Sequence, residues 1–76
     1  MRVVVYPADH RPAHVHVIGA DFEVVFELNC PDGPIELRSI GAGKATKTRV
    51  EKIRRLLSPS LLELCDAWRK HHGTYH

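Results

Sequence analysis

The sequence predicts an α+β fold, with a short antiparallel sheet of three to four strands followed by two C-terminal helices packed on one face. Three observations carry this. Apolar and polar residues alternate with period two around 22–29, glycine- and proline-bearing turns divide the first 43 positions, and the apolar period becomes helical after Thr46. The chain has 76 residues, which fits one domain over 1–76. A domain this short buries only about 60% of the surface its unfolded chain exposes, so its stability should be modest.

Residues 2–6 are rich in β-branched side chains and stop at Pro7, which predicts the first strand. Pro7 and Pro12 exclude a helix from the loop between them. Strands near His14–Ile18 and Phe22–Asn29 follow, joined through Gly19-Ala20-Asp21. In the second of these Phe22, Val24, Phe26 and Leu28 alternate with Glu23, Val25, Glu27 and Asn29, so the first set faces the core. A two-residue loop at Gly19-Ala20 would pair Val17 with Phe22 and Val15 with Val24, keeping both valines inward. A slip by one residue would bury His14 and His16 instead, which the cost of unpaired buried polar groups opposes. The two histidines are therefore expected on the solvent side with Glu23 and Glu27.

Cys30-Pro31-Asp32-Gly33-Pro34 has the chemistry of a turn. A fourth strand is expected over Ile35–Ile40, with Ile35 and Leu37 on one face, and Gly41-Ala42-Gly43 ending the sheet. Thr46 or Thr48 can cap a helix in which Val50, Ile53 and Leu57 share one side. Ser58-Pro59 opens a second helix with Leu61, Leu64, Cys65 and Trp68 as its buried stripe and Gly73 as its stop. Trp68 has the spacing of a core anchor, and His71, His72 and His76 look like uninvolved tail residues.

Composition narrows the function classes. No run is long enough to span a bilayer, and the opening residues lack the pattern of a signal peptide, so no membrane partner and a cytoplasmic location are expected. Cys30 and Cys65 alone make no disulfide framework, and reduced packing cysteines are the expectation. Charge is lopsided. Up to Gly43 the acids Asp9, Asp21, Glu23, Glu27, Asp32 and Glu36 face only Arg2, Arg11 and Arg38; beyond it Lys44, Lys47, Arg49, Lys52, Arg54, Arg55, Arg69 and Lys70 face Glu51, Glu63 and Asp66. An acidic sheet and a basic helical half suit an anionic partner such as RNA, for which Lys47, Arg49, Lys52, Arg54 and Arg55 are the candidate contacts, or simply a solvated helix surface. Val25 and Ile40 on the outer sheet face also offer a protein contact.

The segment His10-Arg11-Pro12-Ala13-His14-Val15-His16 is the least ordinary part of the chain. Residues two apart on a strand point the same way, so His14 and His16 can converge, and Pro12 could fix His10 near them. One chemistry is acid–base work on a phosphodiester, with His10, His14 and His16 as catalytic candidates and Arg11 in support. Another is a metal held by imidazole nitrogens, with Glu23 or Glu27 as a further ligand or ring-orienting group. A third is ordinary polar side chains on a wet face. The spacing matches no highly specific metal or cofactor motif, so neither a metal nor a cofactor is assigned from the sequence.

His10-x-Pro12-x-His14-x-His16 resembles the H-x-P-x-H-x-H signature of small bacterial proteins grouped as domain of unknown function 4160. There the signature precedes a hairpin and a helical pair whose later helix usually carries a Trp, as Trp68 does here; Ala13 and Val15 stand where that family often has Pro and Phe. Its members are often described as toxin–antitoxin components. The resemblance thus implies a small protein working beside a cognate partner, with RNA as the natural target of a toxin and a basic toxin surface as the natural target of an antitoxin. A homodimer would be another way for so small a domain to gain buried surface.

Overall fold

The computed structural model describes residues 1–43 and 45–75, except for the side chain of Ala42; His76, expected to be an uninvolved tail residue, lies outside the described residues. Four strands, β1 (Arg2–Val4), β2 (His14–Ile18), β3 (Phe22–Glu27) and β4 (Glu36–Gly43), form one antiparallel meander in the order β1-β2-β3-β4. A helical run follows: α1 (Lys47–Leu57), a 3-10 turn (Ser58–Ser60) and α2 (Leu61–His72). The α+β class is as the sequence predicts. The two expected helices are instead joined pieces of one run, because Leu57, Ser58 and Leu61 all keep right-handed helical dihedrals. Ser58 does not cap α2; its hydroxyl donates back to the Arg54 carbonyl at 3.0 Å. Thr46 does cap α1, accepting from the Arg49 amide at 3.2 Å.

The core lies between one sheet face and this run. Val15, Val17, Val24, Phe26 and Leu28 meet Val50, Ile53, Leu57, Cys65 and Trp68, and Trp68 is fully buried. Parity is as expected, with Val15 and Val17 inward, but the β2–β3 pairs are displaced by two residues. Val17 lies opposite Val24 and Val15 opposite Phe26. The loop is therefore Ala20-Asp21, closed by the Gly19 amide donating to the Phe22 carbonyl at 2.9 Å. The Phe22 ring lies over Gly19 where a Cβ would collide with it, which places the glycine at the end of the strand rather than within the turn.

Strand limits also move. β1 ends at Val4 rather than at residue 6, since the chain departs towards Pro7 to bring Asp9 over the sheet. β3 ends at Glu27 rather than Asn29, although the Leu28 amide still donates to the Ala13 carbonyl at 3.1 Å; Asn29 then takes a positive φ of 51° into the next turn. β4 runs on through Gly41-Ala42-Gly43, where the sheet was expected to stop. Gly43, at φ 108°, lies against Asp21 and Phe22 so closely that a Cβ has no room.

The register between β3 and β4 shifts twice, once between Phe22↔Gly43 and Val24↔Ile40 and once where Arg38 falls between the Phe26↔Leu37 and Val25↔Ser39 pairs. Ile35 is buried as expected, but Leu37, expected on the same face, is 47% exposed and Ile40 45% exposed. Ile40 is opposite Val24, so it belongs to the helix side and not to the outer face with Val25; both residues lie at a sheet edge that α1 only partly covers.

Cys30 and Cys65, expected to be separate reduced packing residues, form a disulfide joining the turn after β3 to α2 across 35 positions. Both are buried beside Trp68 and Leu28 in the core cluster, so packing itself brings the sulfurs together. Closing a loop of this length constrains the unfolded chain, and the chain-entropy account puts its contribution at about 3–4 kcal/mol. Replacing both cysteines by serine should lower the unfolding free energy by about that amount in urea titrations, with the antiparallel sheet retained by circular dichroism.

Candidate functional site

The hairpin parity sends His14 and His16 off the sheet face opposite Val15 and Val17, and the loop after β1 folds back over them. The face is not wet: His14 is only 4% exposed. The residue that closes it is Asp9. Its Oδ2 atom lies 3.1 Å from His14 Nε2 and 2.9 Å from His16 Nε2. The opposite nitrogens are also engaged. His14 Nδ1 is 2.8 Å from the Pro12 carbonyl, and His16 Nδ1 is 3.0 Å from Glu23 Oε2.

This pattern constrains the chemistry strongly. A carbonyl oxygen only accepts, so His14 Nδ1 can bond Pro12 only by donating, whereas His16 has a carboxylate at each nitrogen and can donate to either. Where Nδ1 donates, the Nε2 lone pair is presented to the Asp9 carboxylate oxygen, an arrangement that a cation bound between them would satisfy. Rings whose Nδ1–H is held by a carbonyl or a carboxylate while Nε2 is presented to a common point are what imidazole metal ligands require. Asp9, His14 and His16 offer ligand atoms all within 4.8 Å of one another.

Aromatic rings fix the imidazoles from the sides. Tyr6 meets His16 edge-on at 4.8 Å, His14 lies 5.0 Å from the Trp68 ring, and Trp68 stacks on His72 at 3.7 Å and 7°. His72 does not behave as a tail residue. Its Nδ1 is 3.0 Å from the Trp68 carbonyl and its Nε2 2.9 Å from the Asp9 carbonyl, and with both partners acceptors its ring belongs to the same network.

Of the candidates from the sequence, the structure brings together His14 and His16. His10 is exposed, and Arg11, also exposed, donates to Thr74 Oγ1 at 2.9 Å on the side of the C-terminal segment. Asp9 and His72 were missed. Asp9 sits next to the histidine segment, but nothing in a loop sequence states which way its side chain turns. His72 lies 63 positions from its partner.

The basic candidates are largely answered from within. Arg49 pairs with Asp21 at 3.3 Å while its guanidinium lies over the Phe22 ring, tying α1 to the start of β3. Arg54 and Arg55 share Glu51. The Arg54 guanidinium, bonded to Glu51 from Nε and Nη2, holds that carboxyl below the ordinary glutamate value, and Glu51 in turn raises Arg54. Lys47 and Lys52, both exposed, border a hollow on α1 with Thr48, Glu51 and Arg55.

Fold and site define a small α+β domain with a closed histidine–aspartate cluster at one face of its sheet. A family model described as Domain of unknown function (DUF4160) matches residues 1–69, and the chain belongs to that family. Comparison with curated proteins and with solved structures finds no match. Among the described residues no helix is long and apolar enough to cross a membrane.

Because the Glu51 carboxyl is depressed in the folded state, its contribution is present above the ordinary glutamate value and is lost as pH falls through the lower folded value. Glu51→Gln should accordingly melt below the native protein at pH 7 in thermal denaturation, with the difference shrinking as the pH falls below the ordinary glutamate value.

Proposed function

We propose that the protein binds one divalent transition-metal ion through Asp9, His14 and His16, with Glu23 and the Pro12 carbonyl orienting the two rings. The observation that carries this is that both imidazoles have Nδ1 against an acceptor and turn Nε2 towards a single carboxylate oxygen. Tetrahedral bonds of about 2.0–2.1 Å put neighbouring ligand atoms roughly 3.3 Å apart. The 2.9 and 3.1 Å separations from Asp9 need a few tenths of an ångström of opening, and all three ligand atoms already lie within 4.8 Å of one another. Two nitrogens and one oxygen suit zinc and its first-row neighbours better than calcium or magnesium, which favour all-oxygen shells. Three protein ligands leave at least one position for water or another group. The burial of His14 makes the cluster better suited to holding an ion than to reaching a polymer backbone.

Calorimetric titration of Zn²⁺ into tag-free, chelator-treated protein should show one equivalent bound. A free-metal concentration 100 times Kd should stabilise the fold by about 2.7 kcal/mol. His14→Ala with His16→Ala should abolish both effects. A well-folded native protein taking up less than about a tenth of an equivalent would overturn the metal reading.

A second reading keeps the expectation of a toxin–antitoxin-type component acting on RNA or on a cognate small protein. What supports it is the hollow bordered by Lys47 and Lys52, whose ammonium groups could meet phosphates. In that reading His10 and Arg11, both exposed, supply the reactive or phosphate-holding groups beside His14 and His16. Lys47→Ala with Lys52→Ala should weaken binding of a fluorescent single-stranded RNA and reduce the slope of log affinity against log salt by about one to two. His10→Ala should suppress RNA cleavage while leaving metal uptake intact, which separates the two readings. The paired cysteines favour an oxidising compartment over the reduced cytosol.

A further inference from the structure

We infer that His72 is the positioning residue of the metal centre, so that occupancy of the site and docking of the C-terminal segment form one coupled equilibrium. This rests on the metal reading and adds a residue from the far end of the chain to it. Asp9 lies in a loop, and a ligand in a loop is useful only if its backbone is held. Its amide donates to the Tyr6 carbonyl at 3.2 Å, and its carbonyl meets His72 Nε2 at 2.9 Å. The second of these is the long-range clamp.

His72 is itself rigid. Its other nitrogen is tied to the Trp68 carbonyl one turn earlier, and its ring lies flat on the indole. Trp68 in turn touches His14 and donates from Nε1 to the Thr74 carbonyl at 3.0 Å. One residue of α2 therefore contacts a proposed metal ligand by its ring, and the next turn holds the backbone of another. The same segment closes over the loop at two more points, through the Tyr75 carbonyl accepting from the Ala13 amide at 2.9 Å and through Arg11 on Thr74. A cation held between the Asp9 carboxylate and the imidazoles stabilises the loop conformation to which residues 72–75 dock, and by linkage their docking favours the cation.

The test uses the full chain with Co²⁺ as the probe, comparing native protein with His72→Ala and His72→Gln. Groups that hold metal ligands in place typically change affinity 10–100-fold when removed. His72→Ala should weaken Co²⁺ by about that factor in a chelator competition while the visible spectrum of the saturated protein keeps its bands and intensity. His72→Gln, whose amide can still donate to the Asp9 carbonyl, should recover much of the loss. In native protein, Co²⁺ should slow exchange of the Ala13 amide by the same factor of about 10–100, and in His72→Ala it should not. Equal affinity in native protein and a folded His72→Ala variant overturns the inference, and so does a changed spectrum, which would make His72 a ligand. Should His72→Ala fail to fold, His72→Gln with unrecovered affinity, or an Ala13 amide insensitive to metal in native protein, has the same consequence. Native protein that takes up no Co²⁺ removes the underlying metal reading instead.

Discussion

The structure is organised around one electrostatic constraint, the approach of two imidazole nitrogens to the same oxygen of Asp9. Acceptors already occupy the other side of each ring, so both Nε2 atoms are turned to one point. Much of the surrounding architecture follows from holding that cluster. β1 stops early so that the loop can cross the sheet, Glu23 on the neighbouring strand answers His16, and Trp68 seals His14 from the helix side.

Two ties hold the helical run in the position this requires. At one end Arg49 joins α1 to Asp21 and Phe22 at the hairpin. Towards the other, the Cys30–Cys65 bond fixes α2 to the sheet one turn before Trp68 and two before His72. Part of the basic charge is answered internally, Arg49 by Asp21 across the two halves and Arg54 and Arg55 by Glu51 within α1, which is why the charge asymmetry alone was an incomplete guide to an external partner.

The period-two pattern of β3 was enough to orient the sheet, since Phe22, Val24 and Phe26 face the core as their spacing requires. It also put His14 and His16 on a common face, because side-chain parity survives a register displacement of two. What parity could not supply was the loop. Asp9 and His72 are joined by a contact between the ends of the chain, and no local periodicity encodes such a pairing. The cysteines illustrate the same gap: each has an ordinary packing explanation by itself, and only their shared place in the core makes them partners. The glycines of β4 misled for a different reason, because they serve close backbone approach within the strand rather than its termination.

The covalent link between residues 30 and 65 has a topological consequence. Any single backbone scission between them, including one in the connection from β4 to α1, yields two pieces that stay bonded to one another. Such a nicked molecule would keep its mass on a denaturing gel until thiol is added. Its halves would remain at high local concentration, poised to reassemble the sheet and the helical run.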